Sequence, residues 1–233
     1  MSSGRETQGV LAREAASVIL LRDEANGRQV FVQHRVASMD FAANMVVFPG
    51  GRVDAVDSVT LPTGQAFPEA LLAQHAQAWQ HTSLGGELAQ DSAARVLSAA
   101  LREVLEESGV VLPSDLLAPW ANWITPVDQP KRFDTFFYAA VLPAELEPRH
   151  QTTEASKSGW MGIQEILEAH DAGTLRLMPP TLVLLDELVD PDAALPPASR
   201  VVTPVLAEPG AVEKFYSDRR AARQSHLGQE TPD

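Results

Sequence analysis

Glu103, Glu106 and Glu107 fall in the run Arg102-Glu103-Val104-Leu105-Glu106-Glu107-Ser108-Gly109. At about 3.6 residues per turn, that spacing puts the three carboxylates on one face of a helix. Like charges repel there, and two of the three lie in the last turn, where the helix dipole disfavours negative charge. The arrangement costs roughly 1 kcal/mol unless something cationic sits on it. A hard divalent cation with oxygen ligands is the natural remedy. Leu97, Leu101, Val104 and Leu105 mark the opposite, buried side of the same helix.

Other groups could serve such a site. Gly50 and Gly51, in Phe48-Pro49-Gly50-Gly51, let the backbone come close to a substrate or to a neighbouring helix. Arg35, Arg52 and Arg132 carry forked donors suited to phosphate. Phe133 and Phe41 are candidates to stack on a base, with core packing as their other use. His75 and His81 do not share a helical face and read as solvated; His34, in a strand pattern, reads as structural.

Strand and helix patterns must position these residues. Ala16–Arg22 and Gln29–Arg35 read as strands, with Asn26-Gly27 between them as a hairpin signal. Met45–Phe48 reads as a short strand running into Pro49. Trp120–Thr125, Arg132–Val141 and Gly159–Gly162 read as further strands. The spacing predicts helices over Pro68–His81, Gln164–Ala172 and Pro180–Val189, and a long one from Asp91, as N-cap, to Ser108, stopped by Gly109. Prolines thicken from Pro191 onward. The expected organisation is a flexible N-terminus over 1–14, one α+β domain with a mixed sheet over 15–190, and an extended tail over 191–233 with a short helix near 211–223.

The composition narrows the function. Of 233 residues, 45% are hydrophobic and 21% charged, as in an ordinary globular chain. A net charge of -13 argues against broad contact with nucleic acid, and means that an anionic substrate needs local neutralisation. The absence of cysteine excludes disulfides, iron–sulfur clusters, thiolate zinc sites and a cysteine nucleophile. The apolar run Ala15–Leu21 is too short to span a bilayer, and Met1–Arg13 lacks the layout of a secretory signal. A cytoplasmic protein with no membrane or nucleic-acid partner is expected, and a homodimer is compatible with this.

FPGG followed by a helix bearing REVLEESGV resembles the signature of the Nudix hydrolase family: a glycine, five residues, Glu, seven residues, then Arg-Glu-apolar-x-Glu-Glu-x-Gly-apolar. The second half is met at Arg102, Glu103, Val104, Glu106, Glu107, Gly109 and Val110, and the first at Gly51. Here 37 extra residues separate the halves, a helical insertion at about 58–94. Where the signature has its first Glu, counting forward from Gly51 gives Asp57 and counting back from Arg102 gives Ala94, so Asp57 is not counted as a ligand. The split signature is similar to the branch that contains the peroxisomal coenzyme A diphosphatase Nudix 19. So are Trp123-Ile124-Thr125-Pro126, Arg132-Phe133-Asp134-Thr135 with Phe137, and Leu177-Met178-Pro179-Pro180-Thr181. The Arg and Gly of the coenzyme A motif are replaced by Asp40 and Asn44.

The resemblance implies a Nudix α/β/α sandwich around a mixed sheet, with Mg²⁺ or Mn²⁺ held by Glu103, Glu106 and Glu107. Arg102 would orient a glutamate. Glu154, six residues before Trp160, would face the metal site, and either it or a helix glutamate such as Glu106 would be the base. The implied reaction is hydrolysis of the pyrophosphate in a nucleoside diphosphate linked to another group. Coenzyme A, an acyl-CoA, ADP-ribose and other nucleotide sugars are the candidates. A non-catalytic nucleotide sensor on the same fold is the alternative. The insertion leaves just after FPGG and returns just before the carboxylate helix, so it is expected to line the substrate pocket.

Overall fold

Along the first apolar run, Ala16, Val18 and Leu20 enter one buried cluster, and Ile19 and Leu21 enter another. A strand whose two faces are both buried must lie inside a sheet covered on both sides. The computed structural model, which describes residues 10–36, 45–57, 64–190 and 200–211 with 214 and 217, is built around that strand. Its elements are β1 (Arg13–Glu24), β2 (Gly27–Arg35), β3 (Val46–Val47), β4 (Gly50–Arg52), α1 (Glu69–Ala78), α2 (Ala89–Ser108), β5 (Ala118–Ile124), β6 (Phe133–Val141), β7 (Ala155–Gly162), α3 (Ile163–Asp171), α4 (Pro179–Leu188) and β8 (Pro204–Leu206).

The sheet runs β3-β2-β1-β6-β5-β8, with β4 added on β1 and β7 on β2. It is mixed: β1 is parallel to β6 and β5 to β8, and the other pairs are antiparallel. Residues of α2 share one core with one face of the sheet; residues of α3 and α4 share the other core with the opposite face. This is the α/β/α sandwich expected of the family.

Several local expectations shift. The β1–β2 turn is Ala25-Asn26, closed by Glu24 opposite Gly27, which takes the positive φ of 117°. The long helix begins at Ala89 rather than at Asp91; Leu88 is its N-cap, and Asp91 stands in the first turn, where its charge suits the dipole. Of the stretch expected as a tail, the described residues 200–206 pack on the body. Val202 is buried and donates its N–H to the Ala78 carbonyl at 2.8 Å, Arg200 lies over the Trp120 ring at 4.6 Å, and Pro204–Leu206 add a strand to β5. A three-residue strand led by proline suits that edge position.

The insertion shows the largest departure. His75 is fully buried, not solvated: its ring sits 5.6 Å from that of Tyr138, and burial lowers its pKa to about 4. Trp79 meets Phe136 and Tyr138 edge-on at 5.3 and 5.5 Å. Ser83 donates to Asp134 Oδ2 and Asn122 to Asp134 Oδ1, both at 2.6 Å. These contacts seat the described part of the insertion on the α2 face of the sheet. None of its residues from 64 to 94 lines the cleft described below. No helix among the described residues is long and apolar enough to cross a membrane.

Candidate active site

The last two turns of α2 carry the carboxylates, and Gly109, in the left-handed conformation at φ 71°, closes the helix with its N–H on the Leu105 carbonyl. The three carboxylates share a face but not an environment. Glu106 is exposed and Glu103 half-buried, while Glu107 is buried at 6% exposure. Glu107 Oε2 accepts the Gly50 N–H at 2.8 Å and Gln33 Nε2 at 3.0 Å. Burial pushes its pKa up to about 7; the Gly50 bond opposes this and the Glu103 charge adds to it. Burial likewise raises Glu103, against the pull of Arg102.

Arg102 is the hub. Its Nε and Nη2 donate to Oδ1 and Oδ2 of Asp57 at 2.8 and 2.9 Å. Nη2 also reaches the Arg52 carbonyl at 3.0 Å, and Nη1 bridges Glu103 Oε1 at 2.8 Å and Glu106 Oε2 at 3.1 Å. Asp57 is therefore a buried, bidentate partner that sets the guanidinium plane. The sequence signal for it was the forward count from Gly51.

Strand β4 carries the two glycines. Gly50 has φ 155°, and a Cβ there would collide with the Ala16 carbonyl and Ser17. A Cβ on Gly51 would fall into the Glu103 carboxylate. Pairing of β4 with β1 thus brings backbone directly against two of the carboxylates.

On another side, Glu154 leads into β7. Its Oε2 lies 3.5 Å from Arg35 Nη2, its carbonyl accepts the Val36 N–H, and its charge also helps raise the pKa of Glu107. Arg132 spends Nε on the Thr125 carbonyl and Nη1 on the Val10 carbonyl, which fixes the turn between β5 and β6. Arg35, Gly50, Gly51, Arg52, Arg102, Arg132, Phe133, Glu154 and the three helix glutamates line one cleft of about 960 Å³, which Asp57 and Gln33 do not line. Phe41, Asp40 and Asn44 lie outside the described residues. Gln33, which orients Glu107, and Trp123, which also lines the cleft, carried no sequence signal for those roles.

The donor chemistry fits a hard divalent cation: Glu103, Glu106 and Glu107 offer carboxylate oxygens to the cleft, and burial raises the pKa of two of them. Among the described residues, as placed, no three acidic or histidine side chains converge closely enough to hold an ion together. Arg102 instead bridges Glu103 and Glu106.

A family model described as NUDIX domain matches residues 55–179, over half the chain. A Caenorhabditis elegans protein named as nudix hydrolase 7 is 30% identical over 182 residues, which is 76% of this chain and 60% of that protein. A NUDIX hydrolase structure from Alicyclobacillus acidocaldarius shares the fold with a TM-score of 0.58, at 24% identity, over 77% of this chain and 91% of that one.

Proposed function

The chain belongs to the NUDIX domain family, and on that premise we propose that it is a metal-dependent pyrophosphohydrolase acting on a nucleoside diphosphate linked to another group. The observation that carries this reading is the buried Glu107 beside Glu103 in the wall of a large cleft. Two acids placed so are costly unless a cation or a proton joins them.

Glu103, Glu106 and Glu107 would hold Mg²⁺ or Mn²⁺, which when bound screens the diphosphate and lowers the pKa of an attached water. Gly50 N–H and Gln33 fix the Glu107 carboxylate so that it meets an incoming ligand already oriented. Arg102, held by Asp57, controls where the Glu103 and Glu106 carboxylates point. Glu154 is half-exposed in the same cleft and is the carboxylate suited to take the proton of the attacking water, with Glu106 as the other candidate. Arg35 and Arg52 line the cleft where a diphosphate needs positive charge.

Glu106→Gln should lower kcat by orders of magnitude while leaving the thermal midpoint unchanged or slightly raised. Full activity in that variant, or in EDTA, overturns the reading. For the substrate, the split signature favours a coenzyme A derivative, and Asp40 in place of an arginine disfavours one with a 3′-phosphate. Comparing coenzyme A with dephospho-coenzyme A tests this. A preference for the dephospho form, or for ADP-ribose over both, removes coenzyme A from the proposal and leaves the metal-helix reading in place.

A further inference from the structure

The family match ends at residue 179 and begins at 55, yet the cleft is lined from beyond both limits: by Val10, Leu11 and Arg13 on one side and by Ala207 on the other. Both chain-end segments are fastened to the turn between β5 and β6. Arg132 Nη1 donates to the Val10 carbonyl at 2.6 Å, and the Gly210 N–H donates to Asp128 Oδ2 at 2.9 Å. β8 sets Val205 opposite Trp123 on β5. Leu11 is 85% exposed, so it serves no core. An apolar side chain held on the lip of a cleft is placed to meet an apolar surface brought by a ligand.

Trp123 lines the same cleft half-buried, and among the described residues its indole N–H makes no hydrogen bond. That donor is open to the cleft rather than buried. Arg13 is exposed in the cleft and has no acidic partner among the described residues. An indole with its donor open to the cleft, and a cation beside it in the same lining, together fit an aromatic base that carries phosphate.

We propose that the two chain-end segments are part of the substrate site: residues 10–13 and 207–210 close the Trp123 end of the cleft around a nucleobase, and so help decide which nucleoside derivatives bind. This rests on the cleft being the pyrophosphate site. The family-matched part supplies the carboxylate chemistry, and the chain ends supply selectivity.

The test is a ¹H–¹⁵N titration of the full chain with 5′-AMP in Mg²⁺ buffer. AMP has no pyrophosphate, so nothing turns over. The chain has 4 tryptophans, and Trp123→Phe assigns the relevant indole signal. The Trp123 signal should move saturably while that of Trp79, buried on the far face, stays. Trp123→Ala should weaken AMP roughly tenfold. Leu11→Asp and Asp128→Ala, both at exposed positions, should weaken it several-fold without shifting Tm. A Trp123 signal that stays still at millimolar AMP, or unchanged AMP affinity in both Leu11→Asp and Asp128→Ala, overturns the proposal. Such a failure is separable from failure of the hydrolase reading, which Glu106→Gln tests by turnover alone.

Discussion

Arg102 divides one guanidinium among Asp57, Glu103 and Glu106, and the division is set by Asp57. Both Asp57 oxygens are engaged, so Nε and Nη2 cannot swing toward the other acids. Remove that partner and the cation is free to fold onto Glu103 and Glu106, competing with a metal for the same oxygens. Asp57→Asn is therefore expected to raise the Mn²⁺ concentration needed for half-maximal activity and to lower kcat. The buried charge left half-paired should cost about 3 kcal/mol in urea melts. Asp57→Glu keeps the charge and should restore most of both. Unaltered metal dependence in Asp57→Asn would show that Arg102 is held by something else. Single residues were unevenly legible from sequence. The carboxylate face could be read because helical spacing alone puts Glu103, Glu106 and Glu107 together. That Glu107 is buried and Glu106 exposed could not, because it depends on β4 arriving beside the helix from a distant part of the chain.

The elements differ in the same way. β1, β2 and β6 have enough length and apolar, β-branched or aromatic content to declare themselves. Gly50–Arg52 and Pro204–Leu206 have only three residues each and become strands by pairing with β1 and β5. β4 matters most to the site, since a Cβ on Gly51 would overlap the Glu103 carboxylate. That carboxylate is the end of a flexible side chain and can move aside, so Gly51→Ala should fold with little change in Tm. It should still lower kcat, by roughly tenfold or more if Glu103 is a ligand. Wild-type kcat in Gly51→Ala would remove Glu103 from the site. The α1 element offers a pH test on a group that does not line the cleft. His75 is neutral when folded down to about pH 4, but protonates near 6.5 once unfolded. Its contribution to stability is therefore complete above about pH 6.5 and is lost as the pH falls toward 4, on the order of 3 kcal/mol at most. Among the described residues neither ring nitrogen has a well-formed hydrogen bond, and the Leu117 backbone only partly opposes the lowering. His75→Leu should then be neutral or stabilising at pH 7 and should flatten stability between pH 6.5 and 4. An unchanged acid slope in that variant would assign the loss to other groups.

At the scale of the whole molecule, alternation along β6 separates two sets of side chains. The α2 face of the sheet carries the described part of the insertion, with Trp79 fully buried against Phe136 and Tyr138. Along β6 the alternate residues Phe133, Thr135 and Phe137 line the cleft instead. The described part of the insertion, from residue 64 on, stays out of the cleft for this reason: strand alternation sends Asp134, Phe136 and Tyr138 to the other face, and those residues of the insertion pack there. Residues 204–207, which carried no sequence signal of use, add to the β5 edge and reach the cleft. A pair of variants tests the two sets separately. Trp79→Ala should cost about 3–5 kcal/mol, because the cavity would open in a packed cluster. Measured where that variant remains folded, its order of preference among coenzyme A, dephospho-coenzyme A, ADP-ribose and NADH should match the parent. Leu11→Asp should do the reverse, changing that order through KM while its urea midpoint stays in place. If Trp79→Ala reorders the substrates, the insertion acts on the cleft through its packing on α2, and the division between the two sets of side chains does not hold.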